Sequence, residues 1–165
     1  MNITPETKKI ITFLEQIGIE TEFGEIHEET FLPGIKIASG RLIIDPFLLK
    51  YPGDLLHEAG HIAVVPASER ETLNGNIEPD SPSQSLEMGA LLWSYAALRH
   101  LGLDPAVVFH EGGYKGQSKW LIEQFETGTY IGLPLIQWMG LAYDEQNAAR
   151  MNASAFPHMI KWTRE

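Results

Sequence analysis

The segment Asp54-Leu55-Leu56-His57-Glu58-Ala59-Gly60-His61-Ile62-Ala63-Val64-Val65 sets two requirements that few folds meet together. Apolar residues cover most of its surface as a helix, which demands burial. Yet it carries two imidazoles and a carboxylate, and such groups are costly in a core unless hydrogen-bonded or bound to a metal. The spacing resolves the conflict. On a helix His57 and His61 lie one turn apart on one face, so both reach a single ion. Glu58 then sits beside the water that the ion would hold. Zinc is the expected cation, because it takes neutral imidazole and keeps a position open for water in catalytic sites. The dipeptide His-Glu occurs three times, at His27-Glu28, His57-Glu58 and His110-Glu111, but four residues after the histidine the other two have Phe31 and Tyr114. Only the middle copy has the metal spacing.

The surrounding chain reads as β-hairpin material followed mostly by helix. Thr4 caps a first helix that starts at Pro5, carries Ile10, Ile11, Phe13, Leu14 and Ile17 as its apolar stripe, and ends at Gly18. From Ile19 to Asp45 short extended segments alternate with turn residues, and Ile35-Lys36-Ile37 and Leu42-Ile43-Ile44 flank a hairpin turn at Ser39-Gly40. Pro52-Gly53-Asp54 opens the histidine helix and Pro66 closes it. Residues 66–80 are polar and turn-rich, a long loop of the kind often tied to function. Ser81-Pro82-Ser83-Gln84 fits a capping box for a helix that runs to about Leu101. Asp104-Pro105 starts a short helix, a further one covers about 118–127, and short helical pieces follow near Gly132-Leu133-Pro134 and over 144–152. The expectation is a single α+β domain over 1–165.

A catalytic zinc needs a third protein ligand. Glu87 is the strongest candidate. It is the one acid in a helix otherwise made of Leu86, Met88, Gly89, Ala90, Leu91, Leu92, Trp93 and similar residues, and a buried lone carboxylate must protonate or find a cation. The competing reading is an exposed glutamate that favours the helix dipole. His100, thirteen residues on, points to nearly the opposite side of that helix. Glu69, Glu71, Glu78 and Asp80 belong to the loop, where solvated carboxylates are the rule, and His27 and His158 have no partner pattern.

Leu55-Leu56-His57-Glu58-Ala59-Gly60-His61, followed by Glu87 on a later helix, resembles the gluzincin type of zinc metallopeptidase. The order of elements is similar to that of the small ImmA/IrrE-type members over roughly residues 1–101. The resemblance implies a zincin-like fold with a short N-terminal sheet before the HExxH helix, a Zn2+ site made by His57, His61 and Glu87, and Glu58 as general base. It also implies an acid four residues after the third ligand to orient an imidazole, and Leu91 stands there instead. Another group must then fix the ring. The expected activity is peptide-bond hydrolysis on a peptide or protein substrate. The alternative is an idle relative in which a structural metal supports a binding or regulatory module.

A hydrolase of this kind needs a tyrosine or histidine to stabilise the oxyanion. Tyr95, Tyr114, Tyr130, Tyr143 and His110 are candidates. Tyr114 and His110 lead, because they share the Gly-rich segment His110-Glu111-Gly112-Gly113-Tyr114-Lys115-Gly116, which could close over a cleft. Exposure is nonetheless the default expected for both. Composition removes other functions. The net charge of −10, with 12 scattered Lys and Arg, leaves no basic footprint for nucleic acid or anionic lipid. No cysteine is present, which excludes thiolate zinc sites and cysteine nucleophiles. No apolar run is long enough to cross a bilayer, and the N-terminus lacks the charged-then-apolar order of a signal peptide, so a cytoplasmic location is expected.

Overall fold

A computed structural model describes residues 3–75 and 84–165. The second half of the 66–80 loop, with Glu78 and Asp80, and the Ser81-Pro82-Ser83 part of the expected capping box lie outside the described residues. Among the described residues the chain forms eight α-helices and a three-stranded sheet, an α+β arrangement.

Helix α1 (Pro5–Gln16) starts where the sequence places it, with the Thr4 hydroxyl accepting from the Thr7 N–H at 3.2 Å. Its stripe of Ile10, Ile11, Phe13 and Leu14 is buried. Strands β1 (Thr21–Phe23), β2 (Ile35–Ala38) and β3 (Arg41–Ile44) form a sheet in the order β1-β3-β2. The β2–β3 hairpin is antiparallel with Ile35 opposite Ile44, and its two turn residues, Ser39 and Gly40, both have positive φ (49° and 71°). That is the handedness a two-residue hairpin turn requires. β1 joins β3 in parallel, pairing Thr21 with Leu42. Ile35, Ile37, Leu42 and Ile44 are buried, and α1 and both hairpin strands pack against the next helix. Asp45 closes the sheet's exit, accepting from the Ile26 N–H at 3.1 Å and the Phe47 N–H at 3.0 Å.

Helix α2 (Asp54–Val64) carries the histidines, and every residue in it except Glu58 is buried. Its C-terminal carbonyls find partners far along the chain. Arg70, at the end of the short helix α3 (Ala67–Arg70), donates to the carbonyls of Ile62, Val65 and Arg164, while the Arg164 N–H reaches the Ala63 carbonyl at 2.8 Å. The tail is anchored by Trp162, whose ring lies against Phe13, Trp93 and His100, and whose carbonyl accepts from Trp93 Nε1 at 2.8 Å. The 66–75 part of the expected loop is thus structured: it holds α3, and Asn74 bridges to Ala38 at the hairpin edge. The rest is α4 (Gln84–Leu101), α5 (Pro105–Val108), α6 (Ser118–Glu126), α7 (Leu133–Trp138) and α8 (Glu145–Met151), with α4 running along α2 through the middle of the core. No described helix is long and apolar enough to cross a membrane.

Candidate metal centre

The approach of α4 to α2 is set by Gly60. A Cβ built there would fall 2.8 Å from the Ala90 carbonyl oxygen and 3.1 Å from its Cα. Glycine therefore lets the two backbones touch. Glu87, one turn before Ala90, is carried over the face on which His57 and His61 stand.

The three side chains converge. His57 Nε2 and His61 Nε2 are 3.2 Å apart, His61 Nε2 is 3.0 Å from Glu87 Oε2, and His57 Nε2 is 3.5 Å from Glu87 Oε1. Ligands at zinc distances on the corners of a tetrahedron are about 3.3 Å from one another. The two imidazole nitrogens, 3.2 Å apart, lie near that value, and each has a different Glu87 oxygen within 3.5 Å. The donor set, two imidazoles and one carboxylate, is also the one that leaves zinc an open fourth position. Both imidazoles are buried, while the Glu87 side chain keeps 45% of its surface exposed, so the cluster has one open side. Among the described residues these are the only three such groups that lie close enough together to hold an ion.

Electrostatics suit a cation. Burial, reinforced by the neighbouring His61, lowers the His57 pKa to about 4, which leaves that ring neutral and able to bind a metal at neutral pH. Burial acts to raise Glu87, but the hydrogen bond from His61 and the charges of His57 and His61 outweigh it, and the carboxyl is held below its ordinary value. Glu58 is only partly exposed, and burial shifts it upward; the charge of His61 opposes this, and those of Glu87 and Asp54 add to it. A carboxylate raised in this way is a stronger base once ionised.

The Gly-rich segment after α5 lies differently from the surface loop expected. His110 is buried at 9% exposure, stacked on Tyr51 with ring centroids 3.7 Å apart, and its Nε2 is 2.7 Å from Asp54 Oδ1 at the start of α2. Burial raises the Asp54 pKa, opposed by the hydrogen bond and charge of His110. His110 is thus engaged by a carboxylate and stands outside the three-ligand group. Nothing in the local sequence pairs it with Asp54, 56 residues earlier, whose own position reads simply as an acid in a first helical turn.

Tyr114 also turns inward. Its hydroxyl is 3.5 Å from His57 Nδ1, its ring meets the His57 ring edge-on at 5.9 Å, and it packs on Phe109 at 5.3 Å. Two non-glycine residues in a row, Tyr114 (φ 58°) and Lys115 (φ 52°), hold left-handed backbone to achieve this. Each costs roughly 1–2 kcal/mol, so the surrounding contacts must enforce the turn. Burial pushes the phenol pKa up, and the charges of Asp54, Glu87 and Glu58 add to it, so the hydroxyl stays protonated. Among the other tyrosines, Tyr95 donates to Glu126 at 2.8 Å and Tyr130 packs on Tyr95 and Phe156, a separate cluster. A cavity of about 480 Å³ is lined by Tyr51, Phe109, His110, Lys119 and Ile122 among others, and by none of the three converging side chains.

No protein-family model, curated protein or solved structure matches this chain. The reading of the site therefore rests on its chemistry.

Proposed function

We propose that this chain is a zinc-dependent hydrolase of peptide bonds with a zincin-like arrangement, His57, His61 and Glu87 holding the ion and Glu58 acting as general base. The observation that carries it is the convergence of the three side chains: the two imidazole Nε2 atoms lie 3.2 Å apart, and the Glu87 carboxylate sets one oxygen 3.0 Å from His61 and the other 3.5 Å from His57. When bound, the ion supplies Lewis acidity, which lowers the pKa of a water and polarises a carbonyl oxygen.

The remaining work falls to the chain. Glu58 follows His57 directly and lies on the partly open side of α2, where it takes a proton from water and returns it to the leaving amine. Its raised pKa fits both steps, since the same group must accept and then release a proton near neutral pH. His57 and His61 stay rigid because α2 is buried against α1, the sheet and α4. Glu87 remains ionised as the charged ligand of the set.

The test is hydrolysis of a mixed peptide library by the zinc-loaded protein, wild type beside Glu58→Gln. The variant keeps its fold and its zinc and loses turnover by roughly 10²–10⁴-fold. A fully zinc-loaded wild type that cleaves nothing, or a variant that cleaves equally well, removes the hydrolase and leaves a structural metal in a binding module.

A further inference from the structure

We infer that Tyr114 is the positioning residue for His57, its phenol oxygen accepting the Nδ1 proton so that Nε2 is left with its lone pair aimed at the metal. The inference rests on the metal site proposed above and goes beyond it, because it assigns the proton on each imidazole.

The proton assignment follows from the contacts. His61 Nε2 lies 3.0 Å from Glu87 Oε2, and a carboxylate oxygen accepts, so in the metal-free protein it is His61 Nε2 that bears the proton and donates. His57 Nε2, 3.2 Å from His61 Nε2, must then accept or stay bare, since two N–H groups cannot face each other. His57 faces the cluster through Nε2, and a histidine that ligates through that nitrogen carries its proton on Nδ1. The Tyr114 oxygen is the hydrogen-bond partner that the structure gives that atom. It is protonated and neutral, and a phenol oxygen accepts as well as donates.

The loop is built to deliver this contact. A Cβ at Gly112 would fall 2.5 Å from the Tyr51 hydroxyl and one at Gly113 would fall 3.2 Å from His110 Cε1, so the segment packs directly on the Tyr51–His110 stack. The left-handed turn at Tyr114 and Lys115 then points the phenol at His57 and closes with the Gln117 N–H on the Tyr114 carbonyl at 3.0 Å. Tyr114 thus takes the place of the missing acid at Leu91. His61 has no equivalent: its Nδ1 is buried without a partner among the described residues. The two ligands are unequal, His57 arriving with its proton already placed and His61 having to relocate its own.

Imidazole nitrogen NMR on the metal-free wild type, with His57 assigned by a His57→Gln variant, reads the proton directly. The expected result is Nδ1–H with a bare Nε2 for His57 and the opposite for His61. Tyr114→Phe keeps the ring packing and removes the oxygen; His57 then becomes a mixture of tautomers and zinc affinity falls by roughly 10–100-fold, read by competition with a chromophoric chelator. A wild-type His57 protonated on Nε2 overturns the assignment without recourse to any variant. If the wild type binds zinc and Tyr114→Phe matches it in affinity and tautomer, the positioning role alone falls. If the wild type takes up no zinc, the metal centre falls and the positioning role goes with it.

Discussion

Replacing Gly60 with alanine tests how the site is assembled, because the perturbation lies on neither a ligand nor a base. The new Cβ would stand 2.8 Å from the Ala90 oxygen, 3.1 Å from its Cα and 3.2 Å from its Cβ. The nearest of these is about 0.6 Å short of ordinary van der Waals contact. The obstacle is helix backbone in the middle of the core, so no side chain can swing aside to make room. The helices must separate, at a cost of roughly 1–3 kcal/mol for an overpacked position. For a domain of this size 2 kcal/mol corresponds to a drop in Tm of about 4–8 °C. The same displacement carries Glu87 away from His61, so zinc affinity falls as well, though less than on removing Glu87, whose partly exposed side chain can follow. Thermal unfolding and a zinc titration of the variant check both effects. A Gly60→Ala protein with wild-type Tm and wild-type affinity refutes the view that this glycine sets the distance between α2 and α4.

Three further outcomes follow from the same geometry. His57 is shifted down to about 4 by burial, so the unfolded chain binds the extra proton between about pH 6.5 and 4; the metal-free protein is most stable above that window and weakens through it, and His57→Gln flattens this part of the profile. Asp45 is held below its ordinary pKa chiefly by the Ile26 and Phe47 N–H groups, so its contribution is present above about pH 4 and lost as pH falls through the lowered value; urea titrations of Asp45→Asn against wild type show a difference at neutral pH that closes in acid. Arg70→Ala leaves carbonyls at the end of α2 without their donor and lowers urea-measured stability by about 1–3 kcal/mol, with the Trp162 fluorescence signal reporting release of the tail.

What could be read from the sequence was what is local. Thr4-Pro5 and Asp104-Pro105 announce helix starts because the cap and the proline act within one turn, and the structure has both, with Asp104 accepting from the Ala106 N–H at 2.8 Å. The Ser39-Gly40 hairpin is equally local. The parallel partner of β3 was not legible, since β1 is three residues long and its pairing is made across β2, the strand that intervenes in sequence. Nor was the tail on α2, because a single tryptophan and an arginine near the end of a chain carry no period. At the site, the histidine spacing and the isolated acid in α4 pointed to His57, His61 and Glu87, which the fold brings within ligand distance of each other. The inward turn of His110 and Tyr114 could not be foreseen. Glycines and polar residues signal a surface loop, and only the Tyr51 stack and the Asp54 contact, both more than fifty residues away, reverse that.

The central claim is the three-ligand metal centre, and elemental mass spectrometry on untagged protein, wild type beside Glu87→Ala, addresses it most directly. The account predicts one zinc per chain in the wild type and loss or marked weakening in the variant. A wild type that holds no metal after incubation with zinc, or a variant that holds it as tightly as the wild type, would contradict it.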